Sequence, residues 1–308
     1  MFVFIESLIH FDYSNSRNIV YWISFVFMYK INLIRAKSIL TKSGLPVSDY
    51  VVNPYVGCRF GCKYCYASFI GRWKHPGEQW GEFVDVKINA AEVLKKELAK
   101  KKSKNFGSIF FGSVTDPYQG LEAKYKITRK CLEVIADFKY KGSVSLLTKS
   151  PLVLRDIDIL KRIKKMSVGL TITSTDDLVS KYLETYAPPA EERIKSLKKL
   201  KDAGIETYAF VGPLLPNFVW EKGNLEKLFQ KLAETKVDEI WVEHINLSRY
   251  IKERLFLYLK KDYPRQLKSF QEAEKIEYQK QLEKIIFDLI KKYKLKLACQ
   301  KILSHKKT

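Results

Sequence analysis

The chain has 308 residues, 46% hydrophobic and 13% aromatic, a composition that builds a folded core and excludes an intrinsically disordered protein. That length accommodates one α/β domain with extensions, or two domains. Its 55 Lys and Arg against 34 Asp and Glu give a net charge of +21, which suits a polyanionic partner such as nucleic acid and equally suits lysine-rich, solvated helix faces.

Residues 1–27 carry an apolar run from Ile19 to Phe27, interrupted by Ser24 and shorter than the ~20 residues that cross a bilayer. Acidic Glu6 and Asp12 precede it, and no small-residue cleavage site follows before Lys30, so it matches a signal peptide poorly. Met28 opens a stretch that reads as an ordinary cytosolic start. The expectation is a peripheral or spurious extension over 1–27, a core over 28–246, a cytoplasmic location and no membrane partner.

From Asp49 the chain alternates strand-like and helix-like blocks. A short strand over Asp49–Asn53 feeds a cysteine-rich loop in which Pro54, Gly57 and Gly61 permit tight turns. A helix over Ala90–Lys102 has Glu92/Lys96 and Glu97/Lys101 at i,i+4 spacing. Strand Ser108–Gly112 then precedes helix Lys124–Phe138, strand Ser143–Leu147 precedes helix Val153–Lys164, and strand Ser167–Thr173 precedes helix Pro189–Ala203. Strand Glu206–Val211, helix Asn224–Lys236 and strand Glu239–Glu243 complete six repeats. Such alternation implies a parallel sheet with right-handed crossovers, either a partial (β/α)6 TIM-like barrel or an open doubly wound sheet. In both, ligands sit at the C-terminal strand ends.

Residues 247–308 read as a basic C-terminal extension packed on the barrel. From 250 onward, 16 Lys and Arg against 7 Asp and Glu give 16 − 7 = +9, with a long polar helix over Gln266–Lys292 and an edge strand over Lys294–Leu303. Solvated helix faces are the favoured reading of these lysines.

Of five cysteines, three fall within eight residues, a crowding no disulfide framework allows and one that fits a reducing cytosol. Cys131 on a helix and Cys299 on a late strand read as buried structural thiols. The crowded trio, Cys58, Cys62 and Cys65, has the pattern C-x3-C-x2-C. A four-iron, four-sulfur ([4Fe–4S]) cluster normally takes four thiolates. Three leave one iron open to chelate an amine and a carboxylate, such as the amino-acid head of S-adenosylmethionine (SAM), whose sulfonium cleaves on reduction. The rival is a Cys3His zinc site with His75, although structural zinc usually shows two separated ligand pairs.

Polar residues follow each strand. Thr115 and Asp116, in Gly112–Gln119, are placed to accept a bound ammonium or to form a turn with an N-cap. Lys149, after the third strand, is placed to pair with a carboxylate or to stand as a solvated charge. The hydroxyls of Thr171–Asp176 suit a ribose. Arg193, behind Glu191 and Glu192, reads as a helix cap or surface ion pair.

Asn53 through Tyr66, with Tyr64 just before the last cysteine, Thr115–Gln119, Thr148–Ser150, Thr173–Ser174, Pro188–Arg193 and Pro213–Pro216 follow one another in order. Together they resemble the spore-photoproduct-lyase-like ("DNA repair photolyase") branch of the radical SAM superfamily, from about Ala36 to about Asn246. The resemblance implies a partial (β/α)6 barrel whose Cys58, Cys62 and Cys65 ligate a [4Fe–4S] cluster beside Tyr64. It places SAM on the unique iron, with Lys149 on its carboxylate and Ser174 on its ribose. Thr115 and Asp116 fall near the amino group, where relatives carry Gly-Gly-Glu, and Gly212 and Glu243 line the adenine or substrate side. It also implies an electron donor of ferredoxin or flavodoxin type and a 5′-deoxyadenosyl radical that abstracts hydrogen. Spore photoproduct lyase itself uses a cysteine near the end of strand two. Phe110–Tyr118 contains none, which argues against thymine-dimer repair. Trp73, Trp80 and Tyr118 near the expected mouth are candidates for stacking on bases of a nucleic-acid substrate. The alternatives are a small-metabolite or peptide substrate, or a non-catalytic iron–sulfur or zinc protein.

Overall fold

The computed structural model describes residues 2–4, 29–100, 107–175, 181–216 and 222–304. Its strands are β1 (Phe2–Phe4), β2 (Tyr29–Ile34), β3 (Leu40–Lys42), β4 (Tyr50–Val52), β5 (Tyr55–Val56), β6 (Phe83–Lys87), β7 (Ile109–Phe111), β8 (Val144–Thr148), β9 (Met166–Thr171), β10 (Glu206–Leu214) and β11 (Glu239–His244). Apolar residues dominate the central strands because both faces are covered: Val52, Phe111, Leu146, Leu170, Ala209 and Val242 are all fully buried. The main sheet runs β11-β10-β9-β8-β7-β4-β3. Six of these strands are parallel, the six expected from the strand–helix alternation, and β3 adds an antiparallel edge. Among the described residues the sheet stays open, as a partial barrel.

A second sheet, β1-β2-β6-β5, has no counterpart in the sequence reading. Here β6 pairs in parallel with β2 and antiparallel with β5, and β5 leads directly into the cysteine loop.

The helices are α1 (Phe69–Lys74), α2 (Ala90–Lys100), α3 (Leu121–Tyr125), α4 (Ile127–Asp137), α5 (Ile157–Leu160), α6 (Ala190–Asp202), α7 (Lys222–Glu234), α8 (Arg249–Asp262), α9 (Pro264–Glu272) and α10 (Ile276–Lys292). The single helix expected over 124–138 is two. Lys126 is left-handed at φ 52°, and the buried Glu122 carboxylate accepts from the backbone N–H groups of Thr128 (2.9 Å) and Arg129 (3.1 Å) that open α4. The helix expected over 153–164 is a 3-10 stretch, Pro151–Asp156, capped by Ser150 and continued by the short α5.

The C-terminal region also departs from expectation. α9 and α10 replace one helix, and the edge strand over 294–303 is reduced to two isolated bridges, Ile240 with Leu297 and Glu243 with Leu303. Between them a 3-10 turn at Ala298–Gln300 puts Cys299 and Gln300 in the left-handed region, at φ 53° and 51°, which breaks the ladder. Cys299 is therefore exposed, not a buried structural thiol, whereas Cys131 is buried in α4. Among the described residues, no helix is long and apolar enough to cross a membrane.

Candidate active site

The cysteine loop leaves the C-terminal side of β4 and is tied down on three sides. Asn53 bonds the Ser113 hydroxyl (2.9 Å) and the Val114 N–H (3.2 Å), joining the ends of β4 and β7. The Gly57 carbonyl accepts from the Thr115 hydroxyl at 2.6 Å, and Gln119 Oε1 accepts the Arg59 N–H at 2.8 Å. From the far end of the chain, Arg254 Nη2 on α8 donates to the Cys62 carbonyl at 2.9 Å and the Lys63 carbonyl at 2.5 Å. Gly57 has φ +82°, and a Cβ there would lie 2.5 Å from the Phe83 carbonyl oxygen, so the crossing of β5 and β6 requires glycine.

All three thiols of the trio are unpaired; Cys58 and Cys62 are buried and Cys65 is partly exposed. Burial pushes every one of them up, Cys62 to about 12; the neighbouring thiols Cys62 and Cys65 add to the rise at Cys58, and Cys65 adds to that at Cys62. Cations oppose this: Lys149 lowers Cys62, while Arg254 and Lys149 lower Cys65. Thiolates that bind metal lose their protons outright, and these two cations face them.

Behind Cys62 lies a buried polar network. The Tyr64 hydroxyl donates to Glu184, whose other oxygen receives Arg193 Nη2 at 2.5 Å. Both side chains of that ion pair are fully inaccessible. Arg193 spends its remaining donors on the carbonyls of Thr171 (3.1 Å) and Pro188 (2.8 Å). Lys149 Nζ stands 4.0 Å from Glu184. Burial alone would raise the Glu184 carboxyl, but Arg193 and Lys149 hold it below the usual range. Burial likewise works against the Lys149 ammonium, and Cys62 and Glu184 more than compensate, so its pKa is raised.

The expected strand-end residues fall as follows. Thr115 and Asp116 lie against the cysteine loop, with their polar atoms engaged: Asp116 accepts from the Thr148 hydroxyl (2.6 Å), the Lys149 N–H (2.8 Å) and the Tyr118 N–H (2.9 Å). Burial raises its carboxyl despite these donors. Ser174 is buried after β9, while Asp176 lies outside the described residues. Gly212 on β10 lets Glu243 of β11 come close, since a Cβ at 212 would sit 2.9 Å from that of Glu243. Glu243 and Cys65 both act on Tyr66, whose hydroxyl donates to the Ser113 carbonyl.

Three readings are corrected. Arg193 makes no surface pair; it is the largest fully buried side chain among the described residues, because its partner is Glu184 and not Glu191 or Glu192. Tyr118 cannot stack on a base: it is fully buried and bonds Asp156 at 3.0 Å. His75 is engaged away from the thiols, each ring nitrogen 3.1 Å from a carboxylate, Glu78 or Asp85, and its ring stacked on Phe83. Among the described residues, no three His, Cys, Asp or Glu side chains gather as one ion's ligand set; a multi-iron cluster spreads its thiolates over separate metals.

Sequence reasoning missed Glu184, Gln119 and Arg254. Glu184 lies nine residues before Arg193 without a local pattern, and Arg254 sits among lysines that read as a solvated face.

A family model described as the radical SAM superfamily matches residues 52–229. The chain belongs to the radical SAM superfamily. Radical SAM enzymes carry a [4Fe–4S] cluster and use SAM, and this protein is one of them. An uncharacterized protein of Methanocaldococcus jannaschii is 37% identical over 235 residues, covering 75% of this chain and 83% of its own. The Radical SAM Nalpha-GlyT isomerase of Pseudomonas phage M6 is 24% identical over 196 residues, covering 63% of this chain and 39% of its own. The fold is similar to that of spore photoproduct lyase complexed with a dinucleoside spore photoproduct, with TM-score 0.68 at 17% identity over 90% of this chain and 82% of that one.

The residues present fit the radical SAM cofactors. Three unpaired thiols share one loop, and the buried Nε of Arg254 has no hydrogen-bond partner among the described residues. A cationic donor left over beside Cys65 suits an anionic cluster.

Proposed function

We propose that Cys58, Cys62 and Cys65 hold the [4Fe–4S] cluster, that Lys149 and its neighbours seat SAM, and that the substrate is a nucleic acid. The observation that carries the reading is the convergence of Lys149 and Arg254 on a loop of three unpaired thiols. When bound, the cluster and SAM supply reductive cleavage of the sulfonium and a 5′-deoxyadenosyl radical for hydrogen abstraction.

The chain's own part is binding and orientation. Lys149, with 16% of its side chain accessible, a long contact to Glu184 and its ammonium 5.8 Å from the centre of the Tyr64 ring, is available to a carboxylate. The Glu184–Arg193 pair holds Tyr64 between Cys62 and Cys65 through its hydroxyl. Asp116 ties the ends of β7 and β8 together and keeps lone-pair capacity for an ammonium. Ser174 is the ribose contact, and Gly212 with Glu243 forms the wall on the adenine or substrate side. Residues 28–246 form this core, and a reducing cytoplasm keeps its thiols unpaired.

For the substrate, the support is the +21 charge and the nucleic-acid fragment named for the fold neighbour. The absence of cysteine from Phe110–Tyr118 points to a reaction other than thymine-dimer repair.

The test is anaerobic reconstitution followed by SAM and dithionite. Brown protein releasing 5′-deoxyadenosine is expected, and replacing any of the three cysteines with Ala should abolish both colour and cleavage. Affinity for generic DNA and RNA should fall steeply with salt, with a log–log slope of roughly −0.7 to −0.9 per phosphate contacted. A flat response would remove the nucleic acid and leave a small metabolite or peptide.

A further inference from the structure

Trp80, one of the aromatic side chains expected to stack on a base, lines a cavity of about 280 Å³ between α1, the loop that follows it and α8. From α8 come Tyr250, Arg254 and Tyr258, spaced four apart along one helix face, and from α1 comes Arg72. None of Lys149, Ser174, Gly212 or Glu243 lines it, so an occupant leaves the proposed SAM pocket open.

Arg72 is held in place with its donors unspent. Its guanidinium carbon lies 3.7 Å from the centre of the Tyr250 ring. That ring is itself anchored, since the Tyr250 hydroxyl donates to the Ser68 carbonyl at 3.2 Å and the Ser68 hydroxyl to the Cys65 carbonyl at 2.8 Å. Among the described residues the Arg72 side chain makes no hydrogen bond or ion pair. A guanidinium fixed on a ring has already lost the freedom that a solvated lysine keeps, and its fork matches two oxygens of one phosphate. Arg254 adds a second positive charge to the wall. Glu78 is the one acidic residue there, and Lys30 at 2.8 Å and His75 at 3.1 Å already hold its carboxylate.

We infer that this cavity holds one unpaired nucleotide of a nucleic-acid strand, its phosphate on Arg72 and its base against Trp80, at a position flanking the nucleotide that reacts. This inference deepens the nucleic-acid reading above and rests on it. A nucleotide answers both parts of the lining, the phosphate meeting the cation and the base the aromatic surface. The volume, close to the ~300 Å³ lower end of ligand pockets, suits a single nucleotide and not a duplex. A contact to phosphate away from the chemistry fixes the register of the strand on the protein. The links from Arg72 through Tyr250 and Ser68 tie that register to the cysteine loop.

The probes are a short fluorescein-labelled oligothymidylate and its oligouridylate counterpart. Reconstituted holoprotein is added to each without oxygen while anisotropy is followed. Arg72→Ala should weaken binding of the preferred strand about tenfold or more and flatten the log–log salt slope by about one. Lys74→Ala removes the same charge from an exposed side chain outside the cavity lining, and should weaken binding by less than about twofold. Arg72→Lys keeps the charge without the fork and should recover only a small part of the loss. Unlabelled strand should quench the tryptophan fluorescence of wild type more than that of Trp80→Phe. Equal losses in Arg72→Ala and Lys74→Ala at wild-type melting temperature would overturn the inference and leave a diffuse basic surface. Thymidine or uridine monophosphate binding as tightly as the strand would overturn it in favour of a free nucleotide. If wild type shows no salt-sensitive affinity for either strand, the nucleic-acid reading itself fails and takes this inference with it.

Discussion

Arg193 and Glu184 illustrate how a buried ion pair disciplines a site. Breaking such a pair from one side typically costs about 3–5 kcal/mol, because the other charge is left uncompensated. Arg193→Met should therefore lower unfolding stability by about that much, and adding Glu184→Gln should recover a large part of it, a coupling that a double-mutant cycle in urea would measure. The pH dependence has a definite sign. Glu184 is held below its ordinary value of 4.5, so its contribution is fully present above that value and is lost as pH falls through the lower, folded pKa. Asp116 is held above its ordinary 3.8 and works the opposite way: its ionised form costs stability at neutral pH, and that cost is relieved as pH falls. Stability measured from about pH 7 to about pH 3 should fall less steeply in Glu184→Gln than in wild type. At Lys149 the expected defect is in binding. Removing a charge-assisted partner is worth roughly 1.5–3 kcal/mol. Lys149→Ala should weaken SAM binding about ten- to a hundredfold with iron content unchanged, as equilibrium dialysis against a metal assay would show.

At the scale of elements, the cysteine loop rests on backbone geometry as much as on sulfur. Gly57 combines φ +82° with a would-be Cβ at 2.5 Å from the Phe83 carbonyl. A left-handed non-glycine residue costs about 1–2 kcal/mol before any clash, so Gly57→Ala should lower the melting temperature and reduce iron incorporation together. Such local features are what the sequence makes readable. The trio is spaced within one loop, and β7 through β11 each announce themselves as short apolar runs between amphipathic helices. What escaped reading depends on distance along the chain. β2 pairs with β6 some fifty residues away, as Lys30 with Phe83, and neither segment has a pattern naming its partner. The break at Lys126 is fixed by the carboxylate of Glu122 reaching forward to Thr128, a side-chain event invisible to helical periodicity. Arg193 carries a charge that local context assigns to solvent, and only the arrival of Glu184 makes its burial possible.

The whole molecule solves a problem set by its open sheet, which leaves edges at β3 and β11 and one side of the cysteine loop to be covered. Unprotected edges invite pairing with other chains. At β11 the C-terminal segment supplies the cover: Ile240 N–H reaches the Lys296 carbonyl at 2.8 Å, and His244 and Leu303 N–H groups bond across at 2.9 and 2.8 Å. The same region returns to the start of the core through α8, which buries Ile251, Leu255 and Leu259 and extends Arg254 to Cys62, 192 residues earlier. The basic tail, +9 from residue 250 onward by 16 − 7, is thereby tied into the site. Two variants separate cover from clamp. A chain stopped after Ser248 should expose those apolar residues and the β11 edge and accumulate as insoluble protein. Arg254→Ala keeps the apolar face of α8 and should stay folded and soluble. Without its donors the Cys62 and Lys63 carbonyls lose charge-assisted bonds worth about 1.5–3 kcal/mol, so the loop should open more often. Reconstituted Arg254→Ala is then expected to surrender iron to a chelator about tenfold faster than wild type at a nearly unchanged melting temperature. Equal release rates would mean that α8 serves the fold alone.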